Sequence, residues 1–136
     1  MAETLTLSLV TPERPVLDGV PCEAVTLPTE GGEIGLLPGH VPLVTLLGIG
    51  VVRYRAGRGG GAVAVRGGFA EIAADRVRIL ADVAASPDEV DVQRARAERQ
   101  AGEGRRSTVA GEEELDAVNA DIAYAEARIH LGPGEA

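Results

Sequence analysis

Hydrophobic and polar residues alternate along the first part of the chain. Leu5, Leu7 and Leu9 are separated by Thr and Ser, which is the period of a strand with one buried face. The alternation returns at residues 76–81. The pattern predicts short strands at residues 5–9, 22–27, 43–47, 51–55, 62–65, 69–72 and 76–81. Strands of this length and spacing are typical of a β-sandwich or a barrel.

Glycine and proline stand between most of the predicted strands. The chain has 18 glycines and 8 prolines among its 136 residues. We interpret residues 11–15 as a turn, residues 57–61 as a hairpin tip and Gly67-Gly68 as a break between two strands. In residues 27–43 glycines and prolines alternate with apolar residues. Because glycine opens backbone angles and proline fixes them, this run predicts a rigid, shaped loop.

The composition changes at Ser86, where a helical region is predicted to begin. Ser86, Pro87 and Glu89 combine a capping serine, a proline at the first helical position and an acidic residue three positions after the cap. A first helix is predicted from here to about residue 100. Gly102 and Gly104 are expected to end it.

A second helix is predicted at residues 112–131, ended by Gly132-Pro133. Its apolar residues are three and four positions apart, a narrow seam suited to packing along another helix. The seam consists of Leu115, Val118, Ile122, Ala125 and Ile129.

The two helices are predicted to form an antiparallel hairpin with weak packing. The first helix offers mainly alanine to its partner, at Ala95, Ala97 and Ala101. Opposite charges favour pairing, because residues 92–106 carry a balance of +3 and residues 107–136 a balance of −6. Exposed ion pairs contribute only a few tenths of a kcal/mol each, so we expect the hairpin to be mobile.

The predicted fold class is mainly β with an α-helical appendage. An antiparallel β-sandwich is assigned to residues 1–85 and a two-helix antiparallel hairpin to residues 86–136. Tyr54, Phe69 and Tyr124 are the only aromatic residues in the sequence. The core must therefore be built from Val, Leu, Ile and Ala.

The charge and cysteine content exclude several classes of function. The formal charge is −8 and all 13 basic residues are Arg, a poor composition for binding nucleic acid. The single cysteine, Cys22, cannot form an internal disulfide, and with only His40 and His130 it cannot build a zinc site. Without an apolar run of about 18 residues or a signal peptide, we expect a soluble cytosolic protein that meets membranes only through a partner.

The sequence also lacks the usual residues of an enzyme. It has no nucleophile elbow, no lysine and no phosphate-binding Gly-Lys-Ser or Gly-Lys-Thr loop. Glu33 and His40 are the one carboxylate and histidine that share a loop. A hydrolase built on this pair is one interpretation, but a histidine after Pro-Gly more often braces its loop. We predict no catalytic residue, no metal ligand and no cofactor.

Four motifs in order carry a resemblance to a known family. Residues 32–40 read Gly-Glu-Ile-Gly-Leu-Leu-Pro-Gly-His and are followed by Val-Pro-Leu. The other motifs are Val-Thr-Pro-Glu-Arg at 10–14, Gly-Gly-Phe-Ala-Glu at 67–71 and Val-Arg-Ile-Leu-Ala-Asp at 77–82. Together they resemble the epsilon subunits of bacterial F-type ATP synthases, the counterparts of mitochondrial delta. The resemblance implies a β-sandwich followed by a helical hairpin.

The resemblance also implies a non-catalytic rotor role at the cytoplasmic face of the bacterial inner membrane. The sandwich would bind the gamma subunit and the c-ring, and the hairpin would inhibit ATP hydrolysis by extending towards the alpha/beta head. It implies a contact loop for the c-ring and gamma, made of Glu33, Ile34, Gly35, Leu36, Pro38, Gly39 and His40. One edge or face of the sandwich is expected to carry an apolar patch that gamma covers, because the strands near Val51 and Val77 are apolar on both faces.

A nucleotide motif of some family members is matched in part. The segment Val-Asp-Val-Gln-Arg-Ala at 90–95 places Asp91 three residues before Arg94, and the resemblance implies that both contact a regulatory ATP together with Arg128. Tyr124 stands where a fuller site has another arginine, which predicts weak binding. The alternative is a simple salt bridge between Asp91 and Arg94.

Two further expectations follow from the same sequence. Gly102, Gly104 and Gly111 interrupt the region that is a longer helix in other members, so we expect an extended inhibitory form to be less stable. The rival function from another class is a free-standing cytosolic β-sandwich that binds a small ligand in the loop at residues 31–40.

Overall fold

The computed structural model describes residues 3–131, which form a β-sandwich followed by two helices. The strands are β1 Leu5–Val10, β2 Pro15–Cys22, β3 Ala24–Thr29, β4 Gly32–Leu36, β5 Leu43–Leu46, β6 Ile49–Ala56, β7 Gly59–Ile72 and β8 Arg76–Ala85. The helices are α1 Val92–Arg105 and α2 Glu112–Leu131. Single 3₁₀ turns at Pro87–Glu89 and Arg106–Thr108 precede the two helices.

The strands are hydrogen-bonded in the order β2-β1-β8-β7-β6-β3-β4, and β5 pairs with β7. All pairs are antiparallel except β1 with β8, which run parallel from Thr6 opposite Arg76 to Val10 opposite Leu80. The sheet folds over a single apolar core to which strands from both of its ends contribute. The predicted sandwich and hairpin are confirmed, and the parallel pair is the exception to the antiparallel prediction.

Alternation along the strands fills the core. Leu5, Leu7 and Leu9 are fully buried, while residues between them face outwards. Val25 and Leu27 of β3 enter the same core from the other side. Fully burying one such side chain stabilises the fold by about 1.5–3 kcal/mol relative to leaving it exposed.

Two strands were missed by the sequence prediction. β2 covers residues that were assigned to no strand, and Cys22 ends β2 instead of starting the next strand. β4 lies inside the segment predicted to be a loop, and the turn after Thr29 joins it to β3. Both are edge strands whose side chains are mostly exposed or half-buried, so neither has a clear alternating pattern.

The interpretation of Gly67-Gly68 as a break is wrong, because β7 continues through both glycines. Gly67 and Gly68 have φ angles of 74° and 112°, and Gly67 is skipped in the pairing between β7 and β8. The register between β7 and β8 is the same before and after these glycines, and the single strand β7 pairs with β6 before them and with β5 after them. The hairpin tip is likewise shorter than predicted, because β7 already starts at Gly59.

The capping signal at Ser86 starts a single 3₁₀ turn, not α1. The backbone N–H of Ser86 donates to Glu89 Oε1 at 2.8 Å, and Arg14 Nη2 pairs with the same carboxylate at 2.6 Å. These contacts, the Ser86 amide first, hold the pKa of Glu89 below its ordinary value. Helix α1 begins after Asp91, whose side chain accepts a hydrogen bond from the backbone N–H of Arg94.

Helix α1 also extends further than predicted, because Gly102 and Gly104 lie within it. Gly102 is buried against α2, and a Cβ built on it would lie 2.7 Å from Ile122 Cγ1. Ala95 is buried at the same interface, whereas Ala97 and Ala101 are exposed, which corrects the predicted alanine face. The close approach of the helices therefore depends on Gly102.

The seam of α2 is largely confirmed. Val118, Ile122 and Ala125 are buried, while Leu115 and Ile129 are half-buried. Helix α2 is capped at its start, since the Gly111 carbonyl accepts the backbone N–H of Leu115. Gly111 therefore marks the boundary of α2 and does not interrupt a helix. The predicted end at Gly132-Pro133 lies outside the described residues.

The hairpin is docked on the outer face of the sandwich. Ala127 and Leu131 of α2 pack on Val51 of β6 and Ala64 of β7, and the four form a second buried cluster. The contact uses small side chains, so the apolar area that holds the hairpin on the sheet is modest.

Replacing Gly102 with Ala should loosen this hairpin. The added methyl group gains roughly 1 kcal/mol of helix propensity, but it collides with Ile122 at a cost of about 1–3 kcal/mol. Gly104→Ala is the matched control, because no atom lies within 4 Å of its added Cβ. We expect amide exchange in α2 to accelerate for Gly102→Ala and to slow for Gly104→Ala. Equal behaviour of the two variants would contradict the proposed close contact.

Candidate binding surfaces

The predicted contact loop is half strand and half turn. Glu33 and Gly35 are exposed on β4, whereas Ile34 is half-buried and Leu36 is buried in the core. Leu36 therefore anchors the segment, and the exposed residues of β4 remain available to a partner.

The segment after β4 is tied to the next turn of the sandwich. The backbone N–H of Gly39 donates to the Ala74 carbonyl at 2.7 Å, and the His40 N–H donates to the Leu37 carbonyl at 3.2 Å. Gly39 has a φ of 90°, a conformation that favours glycine, and Pro38 precedes it. The geometry agrees with the predicted rigid loop over these residues.

Glu33 and His40 do not form a catalytic pair. The His40 ring Nδ1 hydrogen-bonds the Val41 carbonyl at 2.7 Å, and among residues 3–131 no salt bridge joins His40 to Glu33. The arrangement supports the bracing interpretation of His40. The same part of the chain contains no cluster of His, Cys, Asp and Glu that could hold a metal ion.

An exposed row of apolar side chains crosses four neighbouring strands. Leu46 of β5 lies opposite Phe69 of β7, Phe69 lies opposite Leu80 of β8, and Leu80 lies opposite Val10 of β1. Their exposed fractions are 63%, 39%, 39% and 36%, too high for core residues. We call these four residues the apolar row.

A shallow groove of about 240 Å³ opens beside the apolar row. The turn residues Thr11 and Pro12 and the carboxylate of Asp82 complete its lining with Val10, Phe69 and Leu80. Apolar walls with one acidic rim residue suit an apolar side chain of another protein.

Val51 and Val77, whose strands led us to expect an apolar patch on one face or edge, are not themselves part of the apolar row. Val51 is buried beneath α2, and Val77 is fully buried in the core. The apolar row lies on the outward-facing side of β7 and β8, where exposed positions alternate with buried ones along each strand.

Each residue of the predicted nucleotide set has a partner within the chain. Arg94 Nε lies 3.3 Å from Glu98 Oε1, and Arg128 Nη2 lies 2.7 Å from Glu98 Oε2. The Asp91 carboxylate caps α1, so the predicted salt bridge between Asp91 and Arg94 side chains is not formed. Sequence reasoning missed Glu98, since its partner Arg128 is 30 positions away.

The contacts of Glu98 and Tyr124 shift their pKa values in opposite directions. The hydrogen bond from Arg128 is the main cause that lowers the pKa of Glu98. Burial raises the pKa of Tyr124, and the Arg128 guanidinium lies 4.7 Å from the centre of its ring. Glu98 is therefore ionised and Tyr124 neutral at physiological pH.

Two further properties bear on possible ligands. Cys22 is buried and burial raises the pKa of its thiol, which fits a packing role. Within residues 3–131, neither helix combines the length and the apolar character needed to cross a membrane.

Comparisons with known structures identify the fold. A chain of the Euglena gracilis mitochondrial ATP synthase assembly OSCP/F1/c-ring superposes with a TM-score of 0.78 at 23% identity, covering 90% of this chain and 78% of that chain. A chain from the Tetrahymena thermophila mitochondrial ATP synthase central stalk and c-ring gives 0.64 at 15% identity, covering 91% and 92%.

Sequence comparisons identify the family. Residues 4–87 match the family described as ATP synthase, Delta/Epsilon chain, beta-sandwich domain. The ATP synthase epsilon chain of Syntrophobacter fumaroxidans is 40% identical over 131 residues, which cover 96% of this chain and 97% of the relative. That of Solibacter usitatus is 46% identical over 97 residues, covering 71% and 72%. This chain therefore belongs to the ATP synthase delta/epsilon chain family.

Proposed function

We propose that this chain is a central-stalk rotor subunit of a bacterial F-type ATP synthase, where it helps to couple proton translocation to ATP synthesis. It is not a catalytic subunit. Relatives named ATP synthase epsilon chain are similar along nearly the whole chain, and its fold is found in ATP synthase assemblies. The observation that carries the proposal is the apolar row, because a free-standing sandwich has no need of one.

The apolar row is the proposed docking surface for the gamma subunit. Its four side chains are contiguous across β5, β7, β8 and β1, and they are flanked by polar residues such as Glu71 and Arg78 on the same face. An apolar centre with a polar rim is the usual anatomy of a protein interface. Contiguous exposed patches of this kind mark binding sites on soluble proteins.

The loop at residues 33–40 is the proposed contact with the c-ring. It combines the exposed Glu33 carboxylate with the exposed apolar side chains of Leu37 and Val41, on a backbone held by the hydrogen bond from Gly39 to Ala74. A rigid loop loses little conformational entropy when it binds, which favours its contact with a rotating partner.

Glu33→Lys should weaken coupling and leave the fold intact. A charge at the rim of an interface affects association more than stability, so we expect ATP-driven proton pumping to fall several-fold at an unchanged melting temperature. Glu3→Lys, the same reversal at an exposed site outside the loop, serves as control. If both variants pump as well as the parent, Glu33 has no role in the c-ring contact.

The helical hairpin is the proposed regulatory part. In the structure it is docked on β6 and β7 through small side chains, so it can leave without opening the main core. Extension towards the alpha/beta head would inhibit ATP hydrolysis. Gly102 and Gly104 lie within α1 in the docked form, and their low helix propensity is still expected to weaken an extended form.

The complex as a whole is membrane-associated, and we place this subunit on its cytoplasmic face. Co-expression with the gamma subunit tests the proposal, because a rotor subunit should co-purify with gamma in a 1:1 complex. The alternative of a free-standing ligand-binding sandwich predicts that the chain elutes alone. Calorimetric titration with ATP tests the nucleotide site implied by the resemblance, which the pairing of Arg94 and Arg128 with Glu98 disfavours.

A further inference from the structure

Three guanidinium groups of the hairpin, those of Arg94, Arg105 and Arg128, pair with carboxylates of the chain itself. Glu98 of α1 accepts from Arg94 through one oxygen and from Arg128 through the other. The Glu98 carboxylate therefore lies between two arginines, one from each helix. We call this the Glu98 bridge.

The Glu98 bridge is held in place from the side of α2. The Arg128 side chain is only 18% exposed and stacks on the Tyr124 ring, and its Nε donates to the Tyr124 carbonyl at 3.3 Å. These two contacts fix the guanidinium of Arg128, and its Nη2 edge faces Glu98. Fixed geometry makes such a pair stronger than a typical exposed one.

A second carboxylate joins the hairpin to the sandwich. Asp121 of α2 pairs with Arg66 of β7 at 2.9 Å through one oxygen and with Arg105 of α1 at 3.1 Å through the other. Together with the Glu98 bridge it borders a cleft of about 300 Å³ between α1, α2 and β7. Three of the residues that line this cleft are arginines, and each of them already has a carboxylate partner.

A nucleotide does not fit this arrangement. Its phosphates would have to displace Glu98 from two guanidinium groups, leaving that carboxylate beside the incoming negative charge. The Asp91 carboxylate is already hydrogen-bonded as the cap of α1. Ala101 and Tyr124, which also line the cleft, carry no positive charge. The charges that a phosphate would need are already satisfied.

We propose that two carboxylates replace a bound nucleotide as the anions that hold the hairpin: Glu98 keeps α1 on α2, and Asp121 keeps the hairpin docked on β7. Docking then depends on ionic strength and not on ATP. Salt shortens the range of electrostatic attraction from about 10 Å at 0.1 M to about 3 Å at 1 M. Because the apolar contact beneath the hairpin is small, the ion pairs decide how often it opens. The inference concerns the chain alone and holds whether or not the proposed function does.

Hydrogen exchange of the full chain, followed by mass spectrometry over residues 92–105, tests the proposal. We expect exchange in α1 to rise about three- to tenfold between 0.05 M and 0.5 M NaCl. Addition of 5 mM Mg-ATP should change it by less than a factor of two. Glu98→Gln and Asp121→Asn should each give a similar rise at low salt, and the double variant should lose most of the salt dependence.

Glu103→Gln is the control, because Glu103 is an exposed carboxylate of α1 that forms no ion pair among residues 3–131. It should exchange like the parent. Two results would overturn the proposal: protection of the parent hairpin by millimolar ATP, which would restore the nucleotide site, or a double variant that exchanges and responds to salt like the parent.

Discussion

Leu80→Asp should lower the affinity of this chain for gamma on the order of 100-fold, with little effect on its own stability. Leu80 lies between Phe69 and Val10 in the apolar row, so a carboxylate there would be buried unpaired in the complex. Such a loss corresponds to about 2.7 kcal/mol of binding free energy. Calorimetric titration of purified gamma, or competition in a pull-down, measures it directly.

Val83→Asp is the matched control for this variant. Val83 is on the same strand and 45% exposed, but it lies opposite Arg66 and outside the apolar row. We expect its affinity for gamma to stay within about threefold of the parent. Full binding by Leu80→Asp would move the gamma site to another face.

Gly68→Ala should destabilise the sandwich by about 3–5 kcal/mol, a large share of the stability of a small domain. Gly68 has a φ of 112°, and an added Cβ would overlap the backbone carbonyl of Leu80 on the neighbouring strand. Strained backbone and overpacking each cost roughly 1–3 kcal/mol. Urea denaturation of the parent and the variant gives the difference.

Gly57→Asn separates the two causes. Gly57 also has a positive φ, 61°, but nothing lies within 4 Å of a Cβ at this hairpin turn. Asn tolerates this backbone conformation, so the cost should stay below about 1 kcal/mol. A Gly68→Ala protein as stable as Gly57→Asn would show that the close approach of Gly68 to the Leu80 backbone does not restrict this position.

The core strands could be predicted from sequence because one face of each strand is buried in the core and the other is exposed. Leu5, Leu7 and Leu9 face the core while the residues between them face outwards, and this contrast appears directly as alternation. β2 and β4 have no such contrast, because they are edge strands. Gly67-Gly68 was misread as a break because glycines with positive φ are typical of turns, whereas here the strand continues through them and stays paired with β8 on both sides.

The binding surfaces likewise differ in whether they could be predicted from the sequence. The loop at residues 33–40 could be located because its glycine and proline residues act locally. The apolar row could not, since its members come from four strands and become neighbours only through the pairing register. The Glu98 bridge could not be predicted either, because it forms only when α1 packs on α2. In that packing Gly102 is a contact residue and not a helix terminator.

The parallel pairing of β1 with β8 has a consequence for biosynthesis. Thr6 and its partner Arg76 are about 70 residues apart, so β1 pairs early with β2 but gains its second neighbour, β8, among the last. At roughly 5–20 residues per second, the ribosome leaves the leucines of β1 without their β8 partners for several seconds. Nascent chains that end before Leu80 cannot complete this pairing. Such chains should depend on chaperones, and the helical hairpin, made last, can dock only after the sandwich has closed.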